Sequence, residues 1–175
     1  EKFAAIKILS MAELYGGKIC AAIDRQHPRD LFDVKLLLEN EGFSDIIWEG
    51  FMIGIISHYK PVNELLSPIL KDQKLAFDNQ FSGMTSIPFT YADYSDTRDQ
   101  LVKIITKKLT ENDKKFLLSF EHGEPDWELF PIPVLKELPA INWKLLNINK
   151  LKKENLRKHQ QMINKLTDVL SGMNS

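Results

Sequence analysis

One cysteine, eight glycines, eight prolines and no surplus of either charge set the first limits on this 175-residue chain. Cys20 alone cannot close an intramolecular disulfide, which excludes a disulfide framework of the secreted type. No run approaches the roughly 18 consecutive apolar residues of a membrane-spanning helix, so the reducing cytoplasm is the expected compartment and no membrane partner is expected. Lys plus Arg number 23 against 24 for Asp plus Glu, so no global basic field announces a nucleic acid, and any such contact must be local. What is present is a folding composition: 43% hydrophobic, 27% charged, with ten Phe and three Trp. A disordered or low-complexity chain is excluded, and the length fits one domain with its own core. The chain opens on Glu1 with no charged segment leading into an apolar one, so no signal peptide is visible. It reads as a piece of a longer protein, whose other segments can carry part of an active site.

Ile6 and Ile8 flanking Lys7 indicate a short strand over residues 3–9. Ser10 and Glu13 form a Ser-x-x-Glu capping box, which opens a helix over 11–25 despite Gly16-Gly17. Small residues inside a helix imply that something packs close. His27-Pro28 breaks it, and a second helix follows over 29–39, stopped at Gly42 in a left-handed cap. A buried helix is expected over 43–59, short helices and long connections over 62–98, then helices over 97–109 and 110–120. Residues 121–128 read as an acidic loop with four acids and no base; Pro131, Pro133 and Pro139 keep the following stretch extended as far as Asn142. A lysine-rich amphipathic helix closes the chain from about residue 149 to 170, with Leu151, Met162, Ile163, Leu166, Val169 and Leu170 as its stripe. The fold class is mainly α.

The densest ionisable cluster lies between Lys18 and Lys35. Lys18, Ala22 and Arg25 stand at i, i+4 and i+7, a cationic stripe with room beside its alanine. Asp30 and Asp33, with Arg29 four residues before Asp33, share one face near the start of the second helix, where the helix dipole favours anions. If the two helices form a hairpin about residues 26–28, Lys18 faces Asp33. Two readings are then open: an interhelical salt bridge, or a phosphate-handling site in which cations neutralise a polyphosphate and an aspartate holds a metal or orients a nucleophile.

Other candidates are weaker. Cys20 with His27 lacks further ligands at zinc spacing, so Cys20 is expected to be buried. His122 reads as a solvated surface histidine, and Trp127 and Trp143 as core rather than stacking platforms. Residues 150–158 carry five bases against Glu154, a solvated helix face or a track for an RNA backbone. The phosphate-loop, dinucleotide, zinc-protease and nucleophile-elbow signatures are all absent.

The segment from Leu14-Tyr15-Gly16-Gly17-Lys18 through Arg25-Gln26-His27-Pro28-Arg29-Asp30-Leu31-Phe32-Asp33-Val34 resembles the AbiEii family of nucleotidyltransferase-like toxins. Phe81-Ser82-Gly83-Met84-Thr85, Gly123-Glu124-Pro125-Asp126-Trp127 and Asn142-Trp143-Lys144-Leu145 are similar to that family's carboxy-terminal half. The resemblance implies a polymerase-β-like nucleotidyltransferase of type IV toxin–antitoxin and abortive-infection systems, using an NTP and Mg²⁺ on a nucleic-acid acceptor such as tRNA, with an antitoxin as partner. It implies a catalytic set of a Gly-Ser motif, metal-binding aspartates in an amino-terminal lobe, and a later lysine and aspartate. Lys18 matches that lysine and Asp33 that aspartate, with Asp30 as competitor and Arg25 and Arg29 as nucleotide-binding cations.

The departure from the family pattern is large: there is no Gly-Ser dipeptide and no Asp-x-Asp pair, and Ser82-Gly83 runs in the reverse order. The expectation is therefore a boundary strand over residues 1–10 followed by a carboxy-terminal helical domain over 11–175. That lobe supplies no metal ligands of its own and is inactive alone. The rival expectation is a non-catalytic interaction domain that binds an antitoxin, with Lys18 and Asp33 as a structural salt bridge.

Overall fold

The computed structural model describes residues 10–173, and all regular structure among them is helical. The expected strand at 3–9 lies outside the described residues. Helix α1 (Met11–Arg25) opens on the capping box, in which the Glu13 amide donates to Ser10 Oγ at 3.2 Å and the Ser10 amide to Glu13 Oε2 at 3.0 Å. Helix α2 (Pro28–Asn40) starts with Pro28 in its first turn and closes on Gly42 at φ 69°, whose amide reaches back to the Leu37 carbonyl. Helix α3 (Asp45–Ser57) is capped by Ser44 and is apolar on nearly every side, because Phe51, Met52, Ile55 and Ile56 are fully enclosed.

The packing of α1 on α3 organises the fold. A Cβ at Gly16 would overlap the backbone of Gly50, a Cβ at Gly50 would overlap Ala12, and one at Gly54 would overlap Cys20 Sγ. Ala12, Gly16 and Cys20 on α1 thus mesh with Gly50 and Gly54 on α3 at a spacing of four residues, which brings the two backbones together. Gly17 has nothing near its missing Cβ, so only Gly16 of the pair serves the close approach. Cys20 is buried, with its Sγ 3.7 Å from the Phe51 carbonyl oxygen.

Beyond α3 come α4 (Val62–Leu66) and α5 (Lys74–Gln80), the short helices expected in this irregular stretch. Phe77, Phe81 and Phe89 pack with Phe32 of α2, their ring centroids 5.3–6.0 Å apart. Helix α6 (Tyr91–Lys108) begins six residues before the expected Thr97, because Thr90 and Asp93 form a second capping box. Helix α7 (Glu111–Glu121) has a third, from Thr110 and Asp113.

The last third corrects the sequence reading. Pro139 does not hold the chain extended; it occupies the first turn of α8 (Pro139–Glu154), where a missing N–H costs nothing. The expected single helix from 149 to 170 is instead the end of α8 and all of α9 (Leu156–Gly172). They part at Asn155 (φ −149°, ψ 77°), whose side chain accepts the Lys158 amide at 2.9 Å. Ile163, Leu166 and Leu170 form the buried stripe of α9.

Candidate active site

The α1–α2 turn is built on Gln26, which sits at φ 53° and is almost wholly buried. Its Nε2 donates to the Ile69 carbonyl at 2.8 Å, its Oε1 accepts the Lys71 amide at 2.9 Å, and its own carbonyl accepts the Tyr94 hydroxyl at 2.9 Å. The connection before α5 and the start of α6 therefore clamp the turn from outside, which repays the left-handed backbone of a non-glycine residue. The clamp fixes the first turn of α2 beside α1.

Across this hairpin Lys18 Nζ lies 2.5 Å from Asp33 Oδ2, and the two side chains are 38% and 37% exposed. Arg25 meets Asp30 at 2.9 Å, with Asp30 only 17% exposed and its Oδ2 buried without a hydrogen-bond partner. The two aspartates thus answer to two different cations of α1. Arg29 does not join Asp33, as the i, i+4 spacing implied; its guanidinium turns to Met84 Sδ at 3.3 Å. The room expected beside Ala22 is also absent, since that residue is 1% exposed and packed into the core. The open groove lies one residue around the helix, along Gly17, Ala21, Asp24 and Arg25, and is faced by Gly54 and His58.

Asp24 anchors the far end of that groove. It pairs with Lys60, lies 3.6 Å from His58 Nε2, and accepts the Tyr59 hydroxyl at 3.5 Å. Burial pushes its carboxyl up, but the Lys60 hydrogen bond and the Lys60, His58 and Lys71 charges outweigh that and hold it below the usual range. Burial lowers the pKa of His58, with Asp24 opposing.

A second polar cluster was missed at the sequence level. Lys144 on α8 is 9% exposed and donates to the carbonyls of Ile55 at 2.9 Å and Lys60 at 3.0 Å, so it caps the end of α3. Burial brings its ammonium down to about 8, with Glu121 and Cys20 pulling the other way. Glu121, the last residue of α7, is 2% exposed, and its Oε2 has no hydrogen-bond partner. Burial raises its carboxyl above the ordinary range, against the charges of Lys144 and His159. His159 on α9 donates through Nε2 to the Glu121 carbonyl at 2.9 Å. Trp143 is not core, as its aromatic character implied; it is 68% exposed beside this cluster. The helical run from Pro139 would have flagged it, because residues 143 and 144 must then point to neighbouring faces.

Among the described residues no group of three or more His, Cys, Asp or Glu side chains is disposed to hold a metal ion. No helix among them is long and apolar enough to cross a membrane.

Among the described residues the architecture is mainly helical, as the sequence resemblance implied. The family described as nucleotidyl transferase AbiEii toxin, type IV TA system, matches residues 1–147. The match covers most of the sequence, and the chain belongs to this family of nucleotidyltransferase toxins from type IV toxin–antitoxin systems. Comparison with curated proteins and with solved structures gives no match. Membership implies an NTP and a divalent cation in the chemistry and an antitoxin as partner. The hairpin's donor set does not fit that cation: Asp30 and Asp33 are each engaged by a cationic side chain, and among the described residues no third ligand stands with them.

Proposed function

We propose that this chain is the helical lobe of a nucleotidyltransferase toxin, in which Lys18 and Asp33 act on an NTP and a nucleic-acid acceptor such as tRNA. The exposure of the Lys18–Asp33 pair carries this reading. An ion pair with both side chains more than one-third open to water contributes about 0–1 kcal/mol, too little to be needed as a staple. The rival reading, a structural salt bridge in an antitoxin-binding domain, needs the pair to stabilise the hairpin. Gln26 already does so with three hydrogen bonds of 2.8–2.9 Å.

In this reading Lys18 releases Asp33 when a triphosphate arrives and places its charge on the phosphate oxygens. Asp33, freed of its partner, orients the nucleotide or accepts the proton of the acceptor hydroxyl. Asp30 is the poorer candidate because it is more enclosed and held by Arg25. Arg25 and Arg29 are exposed and stand on either side of the α1–α2 turn, where they add charge for the polyphosphate. No carboxylate set among the described residues fits Mg²⁺, so metal-binding carboxylates would come from an amino-terminal lobe outside them, and the metal would supply charge neutralisation there. The 175-residue chain alone is accordingly inactive.

Lys18→Ala and Asp33→Ala in the full-length protein test this. Growth inhibition should be abolished, with the melting temperature within a few degrees of wild type. Unfolding of both variants, or full toxicity of either, would contradict the proposal.

A further inference from the structure

We propose that the cavity enclosed by the end of α3, by α8 and by α9 receives one unstacked nucleobase of a single-stranded RNA segment, stacked on Trp143 and hydrogen-bonded through its amino group to Glu121. The cavity measures about 280 Å³, room for one planar heterocycle, and its walls include Pro61, Ile148, Leu151 and Met162. Two large aromatics stand at it in the open, Tyr59 at 81% exposure and Trp143 at 68%. Tyr59 is steadied by His58, whose ring lies 4.6 Å away and 28° from parallel. Exposed aromatic faces beside an apolar hollow are the usual platform for an unpaired base.

Glu121 supplies the second, independent observation. It is the lone carboxylate among the residues lining the cavity, it is 2% exposed, and one of its oxygens has no donor. The adjacent Lys144 ammonium spends two of its three donors on the Ile55 and Lys60 carbonyls and makes no hydrogen bond to that oxygen. A buried acceptor without a partner calls for an incoming N–H. Cytosine, adenine and guanine offer an amino group. Uracil offers one N–H flanked by two carbonyl oxygens, whose lone pairs would face the carboxylate.

The surroundings favour a base carried on a strand over a free nucleotide. Leu146 and Lys150 follow Trp143 at i+3 and i+7 on α8, and with Lys153 and Asn149 they line a shallow depression on its outer face. The Lys150 side chain is 64% exposed and stands 4.0 Å from Glu154, an ion pair loose enough for a phosphate to displace the carboxylate. A backbone leaving the cavity along this face meets ammonium groups at the spacing of the helix turns. The inference rests on the nucleic-acid acceptor of the proposed function. Its test reads binding without transfer, so an inactive transfer site and an empty base pocket give different results.

Fluorescence anisotropy of labelled hexacytidylate and hexauridylate with the full-length protein is the experiment. Cytosine and uracil stack alike, so their difference reports the amino group. Hexacytidylate should bind several-fold tighter, and Trp143→Ala, a change at an exposed position, should weaken it about fivefold or more. Glu121→Gln should collapse the preference, because an amide can turn its own donor toward uracil. Equal affinity of the two oligonucleotides for wild type, or wild-type binding by Trp143→Ala, would overturn the base pocket. Unlabelled CMP competing as tightly as the hexamer would overturn the strand.

Discussion

Gly16 of α1 lies directly against the backbone of Gly50 of α3, so closely that Gly16 has no space for a Cβ, while a Cβ at Gly50 would overlap the Ala12 backbone. The adjacent Gly17 points into open groove. Two neighbouring glycines of one helix therefore have opposite roles, and α1 can carry Lys18 and Arg25 at a fixed height over α2 only because Gly16 lets it settle on α3.

Substitution by alanine separates the two. Gly16→Ala must push two helices apart and should cost about 1–3 kcal/mol or more, as overpacking does. Gly17→Ala meets nothing and should stabilise by about 0.5–1 kcal/mol through helix propensity. Chemical denaturation of both variants checks this through a fall in midpoint for the first and a rise for the second.

Gln26 is the pin of the hairpin. Gln26→Ala removes the donor to Ile69 and the acceptor of the Lys71 amide while keeping a left-handed backbone that alanine tolerates poorly. The loss should be about 1–3 kcal/mol for each buried group left unpaired. Amide exchange at Lys71 should accelerate in the variant. Unchanged protection there would mean the clamp does not hold the connection.

Glu121 makes stability depend on pH in a definite direction. Burial raises its carboxyl above the ordinary 4.5, so between 4.5 and the folded value the native state holds more protons than the unfolded chain. The contribution of Glu121 is therefore most favourable at acid pH and is lost as pH rises through that window. Glu121→Gln removes the titration but leaves Lys144 and His159 in place. The variant should gain stability relative to wild type as pH climbs from 4.5 to 7; a difference that stays flat, measured by urea unfolding at each pH, contradicts the raised carboxyl.

The legible part of the fold was its beginning. The Ser10–Glu13 box, His27-Pro28 and Gly42 are local signals whose physics is complete within a few residues, and α1 and α2 follow them closely. The capping box at Thr90 and Asp93 is equally local, and the apolar period alone, which begins only at Leu101, places the start of α6 six residues late. Pro139 is ambiguous in the sequence because proline breaks a helix interior yet suits its first turn, and only the residues after it decide which. That ambiguity conceals the face of α8 on which Trp143 and Lys144 diverge. Glu121 could not have been found from sequence, since its burial depends on α8 and α9 closing over the end of α7. The α1–α2 hairpin did bring Lys18 to Asp33 and separated Arg29 from it, a choice between rotamers that spacing does not make.

Nucleotide transfer itself tests the account most directly. Labelled NTPs, Mg²⁺ and bulk tRNA are incubated with the full-length protein, with its Lys18→Ala variant, and with the 175-residue chain alone. The account predicts label on tRNA from the full-length protein only. Transfer by the Lys18→Ala variant at the wild-type rate, or by the isolated chain, would contradict it.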